Sequence, residues 1–296
     1  MLLQLERVNK YYGSFHAVKD LSFSLDEGKV YGILGRNGAG KTTTLRMIME
    51  IYYPEQGEIK RFFKNNEVSY LPEERGLYPK MTVAETIDFF GQVKGMNKKE
   101  IKTGTDEWLD HFDLGEWKEK KVEALSKGMQ QKVQFIITAM NTPRFLILDE
   151  PFSGLDPLNI QLFKDEIVRL MRRGTTVLFS THIMEHAENI CNHVIIIDKG
   201  TKVVDGEMSR IKEEYGKMNI FIRYSGDGRF LRNGMEESVD DYGTYAEVVL
   251  KKRGDYPGYL RSVADRLDIS EFRVDLPSLK SIFLEAVGAK GDENEK

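Results

Sequence analysis

The first 215 residues alternate short apolar runs with amphipathic stretches. The runs suited to strands occupy residues 30–34, 145–150, 175–180, 194–198 and 201–204. After several of these runs, apolar side chains recur every three or four positions, which is the spacing of an amphipathic helix. Two of the helices are predicted to begin at Ser126 and Asp156, which are typical N-cap residues. This alternation predicts an α/β fold, and a strand as continuously apolar as the one in residues 145–150 belongs in a parallel sheet covered on both faces.

Other segments alternate apolar and polar positions with a period of two. Residues 2–8 and 21–25 have this pattern, which predicts antiparallel strands joined by residues 9–20. A turn at residues 54–57 and a further strand at residues 67–71 are expected after the first helix.

Residues 82–116 have a helical pattern throughout. Thr82 and Glu85 have the spacing of a capping box at the start of the first helix. A second helix is predicted over about residues 98–111, where Trp108 and its apolar neighbours would form the buried face. We interpret this segment as an inserted helical subdomain.

The pattern changes again after residue 215. The remaining segments predict strands at residues 219–224, 246–251 and 270–275 and helices at residues 259–267 and 278–287. We therefore expect a main domain over residues 1–215 and a small α+β domain over residues 216–288. Residues 289–296 are polar and are predicted to form a disordered tail.

Composition and charge narrow the class of protein. The formal net charge of −4 argues against nucleic-acid binding through bulk charge, so no nucleic-acid partner is expected. Cys191 is the lone cysteine and cannot form an internal disulfide, which favours a reduced, cytoplasmic compartment. The sequence has neither a continuous apolar stretch of membrane-spanning length nor a signal-peptide pattern, so we expect any membrane role to depend on a partner.

Residues 35–42 match the phosphate-loop pattern G-x-x-x-x-G-K-[ST]. The strand before the loop and the helix after it would aim backbone N–H groups and a positive helix terminus at an anion. Lys41 can reach the β and γ phosphates, and the Thr42 hydroxyl can hold Mg²⁺. The sequence thus predicts a nucleoside triphosphate site, with candidate residues Gly35, Arg36, Asn37, Gly38, Ala39, Gly40, Lys41, Thr42 and Thr43.

Two carboxylates and a histidine supply the candidate chemistry. Asp149 and Glu150 end an apolar strand, and we assign Asp149 to Mg²⁺ and Glu150 to activation of the attacking water. His182 follows another buried strand and is expected at the same sheet edge, where it could contact the γ-phosphate; a structural role is the alternative. Tyr12 could stack on a nucleobase, and the alternative is a partly exposed tyrosine at a strand end.

Together these motifs resemble those of the nucleotide-binding subunits of ATP-binding cassette (ABC) transporters. Over residues 2–215 they occur in order as Tyr12, the phosphate loop, Pro72-Glu73, Leu-Ser-Lys-Gly-Met at 125–129, the carboxylate strand, Ser-Gly-Leu-Asp at 153–156 and His182. The resemblance implies a P-loop NTPase cassette of the α/β class, with a mixed sheet core, an antiparallel β subdomain, an inserted helical subdomain and a small C-terminal α+β domain. It also implies ATP and Mg²⁺ as cofactors, with adenine on Tyr12, Glu150 as base and His182 as γ-phosphate switch.

The resemblance further implies a composite site. In this family the stretch after Leu125 contacts the γ-phosphate of ATP held by a second subunit, and the site is completed in a head-to-tail dimer. In a homodimer of this chain both sites are expected to hydrolyse ATP, and a heterodimer with a different cassette is the alternative. The residues assigned to the nucleotide in this way are Ser126, Lys127, Gly128, Met129 and Asp156. Integral-membrane permease subunits are the other expected partners, contacted through residues 82–116, and they would place the chain on the inner face of the cell membrane.

Three residues depart from the family pattern. Glu73 stands where glutamine is usual, and a carboxylate is a stronger Mg²⁺ ligand than an amide but also repels phosphate. Lys127 adds positive charge beside the γ-phosphate, while Met129 loses an amide contact. We still expect catalysis, and we include Glu73 among the metal ligands, with Glu74 as the alternative carboxylate at the metal.

Residues 68–79 and 279–288 resemble cassettes of an exporter branch that includes sodium-efflux and antibiotic-export proteins. The favoured function is therefore an ATPase subunit that powers export through a separate permease. The alternatives are a cassette ATPase acting on chromosomes, repair or ribosomes, one serving cofactor assembly, and a phosphate-loop kinase. Residues 43–124 contain no sustained heptads of the chromosome type, and a kinase would not explain residues 125–129.

Overall fold

A computed structural model describes residues 1–74, 76–215, 219–252 and 254–293. The chain divides into two compact units, Met1–Met208 and Ser209–Lys296, so the division lies seven residues before the boundary predicted at residue 215. Arg75, in the exporter-like stretch 68–79, and residues 294–296, in the predicted tail, lie outside the described residues. No helix within the described ranges is long and apolar enough to span a membrane.

The first unit combines two sheets with helices. Its elements in chain order are β1 (Leu3–Tyr12), β2 (Phe15–Leu25), β3 (Val30–Leu34), α1 (Lys41–Ile48), β4 (Gln56–Arg61), β5 (Val68–Leu71), α2 (Val83–Val93), α3 (Lys98–His111), α4 (Lys127–Ala139), β6 (Phe145–Asp149), α5 (Pro157–Arg172), β7 (Thr176–Thr181), α6 (Met184–Glu188), β8 (His193–Asp198) and β9 (Thr201–Glu207). Helix α7 (Met208–Glu214) begins at the division between the units.

The central sheet has six strands in the order β5-β6-β7-β3-β8-β9. The first five are parallel, and β9 pairs antiparallel with β8. Every residue of β3, β6 and β7 is buried, as a parallel sheet covered on both faces requires. This confirms the predicted mixed sheet core and brings the carboxyl ends of β3, β6 and β7 to one edge.

The antiparallel sheet has the order β2-β1-β4. Its buried face joins α1 and the central sheet in one core, where Leu5 and Leu45 pack with Tyr31 and Phe145. The connection predicted over residues 9–20 is wrong, because β1 runs to Tyr12 and β2 begins at Phe15. Register shifts in the pairing of β1 with β2 interrupt the period-two pattern from which the strand ends were predicted.

The inserted helices follow the sequence closely. The Thr82 hydroxyl accepts a hydrogen bond from Glu85 N–H at 3.1 Å, and Glu85 Oε2 accepts one from Thr82 N–H at 2.7 Å. This confirms the capping box, and α3 has the predicted bounds. Trp108 in α3 and Phe112, the residue that caps the end of α3, pack on Phe135 in α4, so an aromatic cluster fixes the inserted helices to the cassette.

The second unit is an α+β domain. Its elements are β10 (Asn219–Ser225), β11 (Glu236–Asp241), β12 (Tyr245–Leu250), α8 (Tyr256–Ala264), β13 (Asp268–Asp275) and α9 (Leu279–Glu293). The strands form an antiparallel sheet in the order β11-β12-β10-β13, and Ile220, Val248 and Tyr259 share its hydrophobic core. Helix α9 continues to residue 293, into the segment predicted to be disordered.

Two strands escaped prediction because they are polar. The turn predicted at residues 54–57 is wrong at its second half, since Gln56 and Gly57 already belong to β4, which has no fully buried residue. Strand β11 reads Glu-Glu-Ser-Val-Asp-Asp and buries only Val239. Both strands lie at sheet edges, where pairing needs no apolar alternation.

Candidate nucleotide-binding site

The phosphate loop connects β3 to α1 at the carboxyl edge of the central sheet. Gly38 and Gly40 have φ angles of 79° and 103°, which L-residues rarely adopt. A Cβ on Gly40 would come within 2.6 Å of the Ala17 carbonyl oxygen, so only glycine fits there. The loop therefore wraps tightly and ends at Lys41, where the free N–H groups of the first turn of α1 begin.

The Lys41 side chain folds back over this loop. Its ammonium group donates to the Gly35 carbonyl oxygen at 2.9 Å and to the Arg36 carbonyl oxygen at 3.3 Å. It also lies 3.4 Å from Glu150 Oε1, and the side chain is only 6% exposed. A buried cation held in this position can contact the terminal phosphates of a nucleotide in the loop.

Asp149 ends β6 and is fully buried beside the loop. Its Oδ1 accepts hydrogen bonds from Thr42 Oγ1 at 3.1 Å and from Ser180 Oγ at 2.5 Å, and its Oδ2 accepts one from Tyr70 at 3.3 Å. Burial and the Asp149 charge raise the pKa of Tyr70, which keeps its hydroxyl protonated as a donor. A hydroxyl and a carboxylate placed side by side are ligands that Mg²⁺ prefers.

Glu150 follows with a left-handed backbone, at φ 47°. Its side chain is buried, and Oε1 lies 3.0 Å from Nδ1 of His182 as well as close to Lys41. Its N–H donates to Ser180 Oγ at 3.0 Å. The sharp turn after β6 thus aims the second carboxylate away from Asp149 and toward the loop.

A cavity of about 420 Å³ lies in front of these groups. The predicted site residues that line it are Tyr12, Asn37, Gly38, Gly40, Lys41, Thr42, Thr43, Glu73 and Glu150. Tyr12 is 43% exposed, and its hydroxyl lies 3.5 Å from Thr43 Oγ1. Glu73 lines the same cavity as Thr42, whereas Asp149 lies behind Thr42 and does not line it.

Four residues of the site were missed from the sequence. Phe15 and Ala17 also line the cavity, and Phe15 is 60% exposed although it is a large apolar side chain. The signal available in the sequence was an aromatic residue three positions after Tyr12. Tyr70 and Ser180 reach Asp149 from neighbouring strands, and nothing in the local pattern of β5 or β7 indicates those contacts.

The residues assigned through the family resemblance to the nucleotide of a composite site lie at the starts of α4 and α5, and they do not line this cavity. The Ser126 hydroxyl caps α4 by accepting a hydrogen bond from Met129 N–H at 3.2 Å, while Lys127 is exposed and Gly128 is half-buried. Asp156 caps α5 and accepts from Asn159 N–H at 3.0 Å, and the bonds from the Asn159 backbone and side chain lower its pKa. Both helix starts confirm the predicted N-caps.

Two other histidines and the cysteine have structural surroundings. His111 lies 3.2 Å from the buried carboxylate of Glu166, and His193 lies 2.7 Å from Asp205. Cys191 is buried, and burial raises the pKa of its thiol, so it is a small core residue.

Comparisons with known proteins match both units of the chain to described families. A family model described as "ABC transporter" matches residues 18–153, and one described as "ATP-binding protein DrrA1-3-like, C-terminal domain" matches residues 206–287. The Bacillus subtilis (strain 168) ABC transporter ATP-binding protein YhaQ is 39% identical, over 97% of this chain and 99% of that protein. The linearmycin resistance ATP-binding protein LnrL of the same strain is 34% identical, over 97% of this chain and 98% of that one.

A solved structure extends the agreement to the fold. The structure described as "Structure of ATP binding subunit of ABC transporter" superposes with a TM-score of 0.68, at 28% identity, over 72% of this chain and 93% of that one. The cassette fold is confirmed, and the phosphate-loop kinase is excluded as an alternative. The chain belongs to the family of ABC transporter ATP-binding proteins, and its activity is the binding and hydrolysis of ATP.

Proposed function

We propose that the chain powers export across the cytoplasmic membrane through a separate permease, as one of two cassettes that sandwich ATP between them. The observation that carries the ATP-hydrolysing part of the proposal is the position of Glu150 Oε1, 3.4 Å from the Lys41 ammonium group and 3.0 Å from His182 Nδ1, beside the Thr42–Asp149 pair. This arrangement joins phosphate binding, a base and candidate metal ligands in one site. The export direction is supported by a relative named Nod factor export ATP-binding protein I, from Bradyrhizobium sp. (strain SNU001), which is 32% identical over 84% of this chain.

In the proposed reaction Glu150 accepts the proton of the water that attacks the γ-phosphate. Lys41 holds the phosphate, and His182 keeps the Glu150 carboxylate oriented through the 3.0 Å contact with its Nδ1. Thr42, Asp149 and Glu73 would hold Mg²⁺, and their oxygen atoms fit that ion. Bound there, Mg²⁺ would neutralise charge that develops on the phosphates.

The second cassette would supply the start of its α4 helix to this site. The first N–H groups of an α-helix lack intrahelical acceptors, and the exposed Lys127 adds a positive charge at the same end. A γ-phosphate presented by the facing subunit satisfies both features. Binding of ATP then favours the closed dimer, and hydrolysis removes that preference.

We place the permease contact on the inserted helices of residues 82–116. A cavity of about 320 Å³, lined among others by Tyr70, Leu77, Phe90 and Lys94, lies where α2 meets β5 and α4. Burial lowers the pKa of Lys94 to about 7. Because the Tyr70 hydroxyl also reaches Asp149, a permease segment in this cavity would lie one side chain from the ATP site.

Purification of the full chain from the membranes of its own cells tests the export proposal. A multi-span permease is expected to co-purify, and inside-out vesicles that contain both proteins should accumulate cargo only when ATP is supplied. The Glu150→Gln complex is the control and should transport nothing. Co-purification with soluble assembly factors alone would contradict the proposal and favour a cassette without a membrane partner.

Replacement of Tyr12 by alanine should raise the KM for ATP about tenfold and leave kcat within about twofold, because stacking on a base contributes roughly 1–3 kcal/mol. Tyr12→Phe keeps the ring and should stay near the wild-type KM. Tyr53→Ala is the control, since Tyr53 is 71% exposed and does not line the cavity. Equal KM values for Tyr12→Ala and Tyr53→Ala, from steady-state ATPase assays, would remove Tyr12 from the adenine site.

A further inference from the structure

One buried hydroxyl lies between the two carboxylate residues of the site. Ser180, on β7, is fully buried and stands opposite Asp149 in the pairing of β6 with β7. It donates to Asp149 Oδ1 at 2.5 Å and accepts from Glu150 N–H at 3.0 Å. Its side chain is thus bonded to two consecutive residues of the neighbouring chain segment.

These two hydrogen bonds orient the Asp149 carboxylate and the Glu150 backbone. A hydroxyl has one proton, and because Ser180 gives it to Asp149, the Glu150 N–H must bind to a lone pair. Glu150 has a left-handed φ of 47°, a backbone conformation that persists only where surrounding contacts hold it. The Ser180 oxygen is such a contact, and it acts on the residue whose side chain lies beside Lys41.

The Asp149 carboxylate is held from three directions. Ser180 and Thr42 donate to Oδ1, and Tyr70 donates to Oδ2. Thr42 is itself a candidate metal ligand, whereas Ser180 lies on β7, outside the phosphate loop. Loss of the Ser180 bond would leave Asp149 with the Thr42 and Tyr70 donors alone, so no donor from β7 would hold the orientation of the carboxylate.

We propose that Ser180 is a positioning residue for ATP hydrolysis, which orients Asp149 toward the metal and fixes the backbone of Glu150. The inference rests on the function proposed above. It predicts that loss of the hydroxyl weakens the Mg²⁺-dependent part of ATP binding and slows hydrolysis, while the contacts that hold the nucleotide itself remain.

The test compares Ser180→Ala with Ser180→Thr, which keeps a hydroxyl at the same position. Thr176→Ala is the matched control, because Thr176 is a buried hydroxyl residue on the same strand that binds Gly28 N–H at the opposite end. Each variant is assayed for kcat, for the KM for ATP, and for the Mg²⁺ concentration that half-maximally enhances binding of a fluorescent ATP analogue. Circular dichroism and thermal unfolding verify the fold of each protein.

Ser180→Ala should lower kcat by about 10–100-fold, leave the KM for ATP within about threefold, and raise the half-maximal Mg²⁺ concentration at least about fivefold. Ser180→Thr should recover most of each loss, and Thr176→Ala should match the wild type. If threonine does not fold at this buried position, Ser180→Cys replaces it and should give intermediate values, since a thiol is a weak donor.

Wild-type kcat and Mg²⁺ dependence in a folded Ser180→Ala protein would overturn the inference. An equal loss in Thr176→Ala would also overturn it, because the effect would then report only strand stability. Glu150→Gln, assayed in parallel, separates this result from the proposed function. If Glu150→Gln is inactive while Ser180→Ala is normal, only the role of Ser180 is wrong; an active Glu150→Gln contradicts the assignment of the base itself.

Discussion

Glu150→Gln is expected to lower the ATPase kcat by at least about 100-fold, which is the lower end of what a general base contributes. The substitution keeps the size of the side chain and removes its ability to accept a proton. Binding of ATP should stay within about threefold of the wild type, because Lys41 retains its contacts with the loop carbonyl groups. Single-turnover hydrolysis and equilibrium nucleotide binding measure the two effects separately.

Glu185→Gln is the matched control for this substitution. Glu185 is exposed in α6, three residues after His182, and it does not line the nucleotide cavity. It should therefore hydrolyse ATP at the wild-type rate. Glu150→Asp moves the carboxylate back by one methylene and should be intermediate, since proton transfer requires hydrogen-bond reach. Retention of full activity by Glu150→Gln would contradict the assignment of the base.

The parts of the site that could be predicted from the sequence are those determined by residues close together in the chain. Gly38 and Gly40 serve backbone conformations that other residues rarely adopt, and Ser126 and Asp156 cap helices through N–H groups three positions ahead. These effects depend on a few neighbouring residues, so a short pattern contains them. The same reason explains why the capping box at Thr82 was predicted correctly.

The parts that escaped prediction depend on neighbours in space. Ser180 meets Asp149 because β6 and β7 pair in a particular register, and a serine in an apolar run does not reveal that register. The bounds of β1 and β2 failed for a related reason, since Arg7 and Asp20 have positive φ angles that interrupt the alternation of facing side chains. Polar edge strands such as β11 have too little burial to produce a pattern.

The proposed dimer also depends on contacts in space that a single sequence does not reveal. Within one chain, Ser126 and Gly128 do not line the cavity that contains Lys41 and Thr42. The start of α4 and the phosphate loop therefore do not form a common cavity within a single subunit. The proposed head-to-tail pair would account for both, because a twofold axis between two copies of this chain would place each α4 start against the loop of the other.

A mixture of two variants that are inactive on their own should therefore recover ATPase activity. Lys41→Ala removes the phosphate contact of the loop. Gly128→Asp puts a carboxylate at the start of α4, which in the proposed dimer would face the phosphates bound by the other subunit. Each pure variant is expected to keep at most about 1% of the wild-type ATPase rate, since charge contacts to phosphate are the main source of catalysis in this chemistry. A Cβ on Gly128 would lie 3.8 Å from Leu155 Cδ2, an ordinary contact, so Gly128→Asp should fold.

When the two variants are mixed in equal amounts and allowed to exchange subunits, half of the dimers contain one chain of each kind. In such a dimer both changes fall in one site, and the other site has an intact loop and an intact α4 start. The mixture should recover about one quarter of the wild-type rate if the two sites work independently. Lys41→Ala mixed with the double variant Lys41→Ala/Gly128→Asp is the control, and it should remain inactive because every loop is altered. Native mass spectrometry would verify that mixed dimers form, and mixed dimers without recovered activity would contradict two shared sites that work independently.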